Sequence, residues 1–270
     1  MLSTPAGDDG AALFIPDGDH LVPTERARGP WSPHALHGGP VAAVVARAVE
    51  AHPGGEELQL VRMTLELLRP VPMTPLTLTS SLVKPGRRVQ LVDTVVEAGG
   101  VEVAWSRSLR IHRAPDDQRA EPTVPEDDPP APPDRIPSTP MTIGDRTAFH
   151  NEGMELRFVN GRTDDLGPAT VWFRLRCPVV LGESPSPWQR VAAAADFGNG
   201  VSAELGFGSS SFINPDLTVS VHRPPVGEWI CLDARTRFGT PGIGAAESAL
   251  WDVVGRIGRS VQNLVVEVRP

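Results

Sequence analysis

A proline-rich, acidic segment divides this chain and limits what it can fold into. Residues 114–140 include nine prolines and seven acidic residues, with almost no apolar periodicity. Prolines remove backbone hydrogen-bond donors and like charges oppose collapse, so this composition is typical of a linker. We therefore predict an N-terminal domain over residues 1–114, a linker over 115–140 and a C-terminal domain over 141–270. Both predicted domains are of ordinary size.

The segments before the linker predict one helix and an antiparallel meander. Pro40 suits the first position of a helix that continues through residues 41–51, and Pro53 with the two glycines after it ends that helix. Strand-like segments precede the helix at 11–15 and 20–24, and follow it at 59–68, 76–83, 89–97 and 101–111. Polar and apolar residues alternate in the first two strands after the helix, as in a sheet covered on one face.

The segments after the linker repeat this order. Strand-like segments at 154–159 and 169–176 precede a helix over 187–197, and four strands follow at 218–222, 229–238, 245–254 and 260–268. Leu68-Arg69-Pro70 and His222-Arg223-Pro224 stand at the same point of the two halves, which indicates an internal duplication. We predict an α+β tandem hot-dog fold, in which two antiparallel sheets each wrap a central helix and join side by side. Two independent sandwiches or an unrelated α+β protein are the alternatives.

Charge and composition narrow the partners. The 25 basic and 33 acidic residues give a formal net charge of -8, which disfavours a nucleic-acid binder. No window approaches the roughly 20 apolar residues that span a bilayer, and the first ten residues lack the pattern of a signal peptide. We expect a cytoplasmic protein without a membrane partner. Spacings typical of metal ligands are missing, so we expect neither a metal nor another cofactor.

An ordered set of motifs in both halves resembles the acyl-CoA thioesterase II family and its actinobacterial thioesterase-like relatives. The motifs are Gly38-Gly39, Leu68-Arg69-Pro70, Lys84-Pro85-Gly86-Arg87-Arg88, Ala195-Asp196-Phe197, His222-Arg223-Pro224, Glu228-Trp229 and Ser260-Val261-Gln262. The resemblance implies a double hot-dog enzyme that hydrolyses acyl-CoA to a free acid and CoA without a cofactor. It also implies further association into a homo-oligomer, a dimer or larger.

The resemblance assigns the hydrolytic water to Asp196, Asn214 and Gln262. In the family the middle position is threonine or serine, and Asn214 departs from that pattern. Asp196 follows four alanines, whose small side chains allow the close packing that desolvates a general base. Gln262 can hold a water and a carboxylate without titrating. An aspartate that ends a helix, an Asn-Pro turn and an outward-facing strand glutamine are the ordinary interpretations of these three residues.

The helix start at Gly38-Gly39 is a candidate oxyanion site. Its backbone N–H groups have no intrahelical partner and lie at the positive end of the helix dipole. A tight entry turn is the alternative interpretation. His37 beside it is a candidate substrate contact or a structural histidine.

Four arginines are candidates for the phosphates of CoA, because a guanidinium presents several donors to each phosphate. They are Arg69, Arg87, Arg88 and Arg223, of which Arg87 and Arg88 form the best pair. The alternative is that they are ordinary solvated surface arginines.

Other functions fit the sequence less well. Enoyl-CoA hydration in a hot-dog fold requires Asp-x-Asn-Pro-x-His, but Phe212 and Leu217 occupy the acidic and histidine positions around Asn214. The Gly-x-Ser-x-Gly turn of serine hydrolases is missing as well. A non-catalytic acyl-CoA-binding or scaffold protein with a degenerate site remains the rival hypothesis, and Asn214 motivates it.

Overall fold

The computed structural model describes residues 12–54, 57–115, 128–141, 143–144, 146–163, 165–206 and 210–268. The first half contains helix α1 and six strands. Their bounds are β1 Phe14–Asp17, β2 His20–Pro23, α1 Gly38–Ala51, β3 Leu58–Leu67, β4 Leu76–Lys84, β5 Val89–Ala98 and β6 Val101–His112.

The second half contains two helices and seven strands. Their bounds are β7 Met154–Asn160, β8 Ala169–Leu175, α2 Pro187–Ala195, α3 Gly198–Val201, β9 Ser210–Ile213, β10 Asp216–Val221, β11 Ile230–Phe238, β12 Ile243–Trp251 and β13 Arg256–Val268.

All of these strands form one antiparallel sheet whose order is the same in both halves. The first half runs β1-β2-β4-β5-β6-β3, and the second runs β7-β8-β11-β12-β13-β10. The halves join where β3 pairs with β10, with Thr64 opposite Thr218. Strand β9 lies off this path and pairs with β13. The tandem hot-dog fold is confirmed, with its two sheets continuous across the junction.

The central helices are the core of the molecule and pack against each other. The stretch Val41–Ala46 of α1 is buried on every side, as are the alanines of α2. A Cβ atom on Gly39 would lie 2.5 Å from the carbonyl oxygen of Ala193, so glycine is required where the two helices meet. A helix that is apolar all round must be enclosed, and the curved sheet encloses both.

The predicted elements are found in the structure, with shifts of up to four residues at strand ends and three larger differences. Helix α1 begins at Gly38, so Pro40 occupies its third position; the first-turn N–H groups need no intrahelical partner, and proline is tolerated there. The second predicted helix, 187–197, ends at Ala195, and the short helix α3 that follows at Gly198 was not predicted. Strand β9 was not predicted from the sequence.

Nearly half of the predicted linker, residues 116–127, lies outside the described residues. In the remainder, the indole nitrogen of Trp172 donates to the carbonyl of Ala131 at 2.8 Å, and Arg157 donates to the carbonyl of Pro133 at 2.7 Å. This part of the segment therefore lies against the second half of the sheet. The division into domains at 1–114 and 141–270 stays a prediction.

Within the described ranges, no helix is both long enough and apolar enough to cross a bilayer.

Candidate active site

The carboxylate of Asp196 lies at the centre of a buried polar cluster. Asp196 caps the C-terminal end of α2 and is only 5% exposed. Its Oδ1 accepts hydrogen bonds from Asn214 Nδ2 at 2.9 Å and from Gln262 Nε2 at 3.2 Å. Its Oδ2 lies 2.8 Å from Nδ1 of His37. The structure thus brings together three sequence-predicted residues of the second half and one of the first.

Gln262 orients this carboxylate from behind. It lies on β13 and is 1% exposed, and its Nε2 also donates to the main-chain oxygen of Asp196 at 3.2 Å. Its Oε1 accepts from the backbone N–H of Asn199 in α3 at 3.1 Å. Both ends of the amide are therefore committed to the protein, which fixes Gln262 in one orientation.

Asn214 lies in the turn between β9 and β10. Its Nδ2 donates to the main-chain oxygen of Asp216 at 3.0 Å as well as to Asp196. These two bonds use only the amide nitrogen, so the amide oxygen retains the capacity to accept from a water.

Nδ1 of His37 faces both the carboxylate of Asp196 and the backbone nitrogen of Gly39. His37 Nδ1 lies 3.1 Å from the backbone nitrogen of Gly39 and 2.8 Å from Asp196 Oδ2. A nitrogen lone pair facing a carboxylate oxygen at that distance would be repulsive, so one of the two atoms must hold a proton. If Nδ1 holds it, His37 donates to the carboxylate, and the Gly39 N–H loses its acceptor.

Glycine at position 38 is what allows the carboxylate to approach α1. A Cβ atom there would lie 2.7 Å and 2.8 Å from the two carboxylate oxygens of Asp196. Any side chain at Gly38 would therefore displace the carboxylate or the helix start. Gly39 faces the carbonyl of Ala193 instead, so the two glycines serve different contacts.

Aromatic rings fix the imidazole of His37. Its ring centroid is 5.1 Å from that of Phe149 and 4.8 Å from that of Phe197. Phe197 in turn stacks at 4.8 Å against Phe173 of β8. These apolar contacts limit access of water to the His37 side of the carboxylate.

An apolar cavity of about 440 Å³ opens between the two halves beside this cluster. Its polar lining groups include His37, Asp196 and Asn214, and its apolar walls come from both halves of the sheet. Gly38 also lines the cavity, whereas Gly39 and Gln262 do not. A mostly apolar cavity of this size with a few convergent polar groups is typical of a small-molecule site.

His150 is a cavity residue that sequence reasoning missed. It lies in a short π-helical turn, Phe149–Gly153, and is 2% exposed. Burial, together with the charge of His37, lowers its pKa to about 4, against a smaller opposing effect of its bond to the carbonyl of Ile143. His150 is therefore neutral at physiological pH. The sequence around it has no periodicity that could have placed it.

The predicted CoA-binding pair Arg87 and Arg88 lies away from this cavity. The backbone N–H of His112 donates to the carbonyl of Arg88, and His112 pairs with Leu58 at the start of β3. The cavity lies at the other end of β3, where Leu67 lines it, so nine residue steps or roughly 30 Å of strand separate the two.

The other two arginine candidates have different surroundings. Arg223 is held by Asp252 through two bonds of 2.5 Å and 2.7 Å. Arg69 lines the cavity itself. Of the four arginines, Arg69 is the one that the fold brings to the candidate site.

Together the fold and the cluster define a class: a tandem hot-dog protein with a buried, hydrogen-bonded carboxylate at an acyl-sized cavity. The family profile of the acyl-CoA thioesterase N-terminal domain matches residues 27–109, and that of the C-terminal domain matches residues 115–266. This chain belongs to the acyl-CoA thioesterase family. It is a thioester hydrolase whose substrates are acyl-CoA thioesters.

Solved structures share the fold at low sequence identity. A thioesterase II candidate from Thermobifida fusca is 17% identical, with 98% of this chain and 99% of that chain covered and a TM-score of 0.73. A hot-dog protein of unknown function from Alicyclobacillus acidocaldarius is also 17% identical, with 97% and 98% covered and a TM-score of 0.72. An acyl-CoA thioesterase II from Mycobacterium marinum is 15% identical, with 87% and 92% covered and a TM-score of 0.61. No curated protein sequence matches the chain significantly.

Proposed function

We propose that Asp196 is the general base of acyl-CoA hydrolysis in this chain. A water that donates to the carboxylate attacks the thioester carbonyl, and its proton moves to Asp196 as the new C–O bond forms. The C–S bond then breaks, and the departing thiolate of CoA takes up the proton that Asp196 returns. The observation that carries this proposal is the hydrogen-bonded Asp196 carboxylate on the wall of an acyl-sized cavity.

Asn214 and Gln262 position the carboxylate rather than titrate. Both donate to Oδ1 of Asp196, which leaves further lone pairs of the carboxylate for the water. Asn214 lines the cavity, and its amide oxygen accepts a hydrogen bond from the same water. It does so in place of the hydroxyl group that the family has at this position. An amide therefore substitutes for threonine or serine at this position, with the acceptor placed one bond further from the backbone.

The first turn of α1 stabilises the oxyanion. If Nδ1 of His37 carries a proton and donates to Asp196, it no longer accepts from the backbone N–H of Gly39, and this N–H and that of Gly38 are then available at the start of α1. Unpaired N–H groups at a helix start stabilise negative charge through hydrogen bonds and the helix dipole.

CoA enters from the side of the cavity where Arg69 lies, and Arg69 contacts its phosphates. Arg69 replaces Arg87 and Arg88 as the proposed phosphate contact. A CoA molecule whose thioester lies at Asp196 would have to extend along most of the length of β3 to contact Arg87 and Arg88.

The protein works in the cytoplasm as a homo-oligomer. Exposed apolar side chains support an association surface: Ile213, Val265 and Ile243 are 46%, 51% and 58% exposed. They stand opposite one another on β9, β13 and β12, so they form one row across three strands. Ile213 and Val265 also line the cavity, so the row borders the candidate site, and we assign it to association between copies of the chain.

Thiol release from acyl-CoAs of graded chain length tests the proposed function. Asp196→Asn keeps the shape of the side chain but removes the base, and we expect kcat to fall by about 100-fold or more. Asp134→Asn, on an exposed turn, is the matched control and should keep wild-type activity. Equal turnover by Asp196→Asn and wild type would disprove the assignment. Tight acyl-CoA binding without turnover on any chain length would favour the non-catalytic binding protein instead.

A further inference from the structure

Asn199 joins two parts of the protein that hold the carboxylate of Asp196. It lies in the short helix α3 and is 6% exposed. Its side-chain Nδ2 donates to the main-chain oxygen of Phe212 on β9 at 3.1 Å. Its backbone N–H donates to Oε1 of Gln262 at 3.1 Å. One residue therefore contacts both the strand that leads to Asn214 and the glutamine that orients the carboxylate.

The bond to Phe212 holds the end of β9 from which Asn214 extends. Asn214 is the second residue after Phe212, and its Nδ2 lies 2.9 Å from Oδ1 of Asp196. The other side of this turn is well fixed, because β10 pairs with both β3 and β13. Strand β9 has four residues and lies off the main path of the sheet, where it pairs with β13. A shift of β9 would therefore carry Asn214 away from the carboxylate.

The two bonds of Asn199 respond differently to substitution. The bond to Gln262 comes from the main chain, so it can persist with any side chain at this position. The bond to Phe212 comes from the side chain and is lost in Asn199→Ala. A buried carbonyl oxygen that loses its donor is costly, which favours movement of β9. A change of this side chain therefore acts on Asn214 and leaves Gln262 in place.

We propose that Asn199 is a positioning residue that acts on Asp196 through Asn214. This inference rests on the proposed function, in which Asp196 is the base, and adds a residue to which that proposal gives no role. Asn199 also lines the cavity, so direct contact with the ligand is the competing role. Loss of a ligand contact made equally in ground and transition states raises KM, whereas misplacement of the base lowers kcat.

Steady-state hydrolysis by Asn199→Ala separates these two roles. On the acyl-CoA that wild type hydrolyses fastest, we expect kcat to fall about tenfold while KM stays within about twofold. Asn160→Ala, at the exposed end of β7, is the matched control and should keep wild-type constants. An unchanged kcat, or a rise in KM alone, overturns the positioning role.

Two double-mutant cycles identify the residue through which Asn199 acts. In the Asn214→Ala background, Asn199→Ala should lower kcat by less than about twofold, because the side chain that it positions is already gone. In the Gln262→Ala background, it should keep its full effect of about tenfold. A similar loss in both backgrounds would indicate a general loosening of the fold, and no loss in either would indicate action on the whole cluster. Both results contradict the proposal.

A crystal structure of Asn199→Ala tests the inference without any turnover. We expect Nδ2 of Asn214 to lie more than about 3.5 Å from Oδ1 of Asp196, beyond hydrogen-bond distance, with Nε2 of Gln262 still bonded to that oxygen. This geometry, found for a chain that hydrolyses no acyl-CoA, would uphold the positioning of the carboxylate while the proposed function fails. An unmoved Asn214, or displacement of both amides, overturns the inference.

Asn199→Leu covers the case in which Asn199→Ala does not fold. Leucine has nearly the volume of asparagine and no donor, so it fills the space of the amide without the bond to Phe212. The same loss of kcat and the same displacement of Asn214 are expected. Wild-type kcat in a folded Asn199→Leu would contradict the proposal.

Discussion

The missing side chain at Gly38 determines how close the base comes to the helix start. The carboxylate oxygens of Asp196 occupy the space that a Cβ atom would fill. His37 and Gly38 belong to the first half of the chain and Asp196 to the second, so this single contact aligns both halves of the candidate site. Because reaction rates depend steeply on such alignment, one methyl group is expected to have a large effect.

Gly38→Ala tests this alignment. The backbone at Gly38 is not in the left-handed region, and alanine favours a helix, so the helix itself is not weakened. We expect kcat/KM for acyl-CoA to fall about 100-fold, with a loss of stability of about 1–3 kcal/mol from the displaced carboxylate. Gly239→Ala, where an added Cβ meets nothing within 4 Å, should retain wild-type activity. Full activity in Gly38→Ala would mean that the carboxylate does not act from its observed position.

At this scale the sequence predicts the site in part. The resemblance indicated Asp196, Asn214 and Gln262, and these residues do lie together. His150 could not be found that way, since it lies in a short π-helical turn that no local periodicity indicates. The separation of Arg87 and Arg88 from the cavity likewise follows from the direction of β3, which no local motif encodes.

The end of an element places Asp196 and Asn214, whereas Gln262 lies in the middle of β13. Asp196 follows the last turn of α2, and Asn214 follows the last residue of β9. A second buried carboxylate, Asp252, shows the same placement in the turn between β12 and β13. It accepts from Arg223 and from the backbone N–H groups of Val226, Val254 and Gly255, so it ties this turn to the segment after β10.

Asp252→Asn should destabilise the protein in a pH-dependent way. Burial raises the pKa of Asp252, but the bonds from Arg223 and the backbone outweigh it and hold the pKa below its ordinary value of 3.8. A carboxyl group whose pKa is lower in the folded state than in the unfolded state stabilises the fold. This stabilisation is complete above the unfolded-state pKa and is lost as the pH falls through the folded-state pKa. We expect the variant to lose about 3 kcal/mol at pH 7, because the fully buried side chain at 252 loses its charge-assisted bonds and the half-buried Arg223 loses its ionic partner.

Thermal unfolding measured from pH 7 to below pH 4 checks this expectation. The difference in Tm between wild type and Asp252→Asn should narrow as the pH falls below about 4. At that pH Asp252 of the wild-type chain begins to be protonated in the unfolded state. Asp233→Asn, exposed on β11, should differ little from wild type at any pH. A Tm difference between wild type and Asp252→Asn that stays constant or widens in acid would contradict the stabilising role of the Asp252–Arg223 ion pair.

Most helices and strands could be predicted because the pattern of polar and apolar residues that identifies each one lies within its own sequence. The four strands after α1 are each found within one or two residues of the predicted bounds. Strand β9 has only four residues and forms because β13 is long enough to pair with both β10 and β9. Its existence depends on a partner distant in sequence, which is why local patterns miss it.

On the scale of the whole molecule, the two halves are joined by more than the β3–β10 pairing. The indole nitrogen of Trp188 on α2 donates to the carbonyl of Leu60 on β3, and Arg47 of α1 forms a two-bond ion pair with Glu183. The candidate site lies within this same junction and takes residues from both sides. Duplication within one chain therefore allows one copy of the hot-dog unit to supply the helix start and the other to supply the base.

The central claim is that Asp196 activates a water and does not itself attack the thioester. A single turnover in water labelled with oxygen-18, with enzyme in excess over acyl-CoA, separates direct attack by water from attack by the carboxylate followed by opening of the mixed anhydride at the aspartyl carbon. Attack by water places one labelled oxygen in the free acid during that first turnover, which is the result we predict. Free acid without label, accompanied by labelled oxygen in the side chain of Asp196, would show attack by the carboxylate and contradict the account.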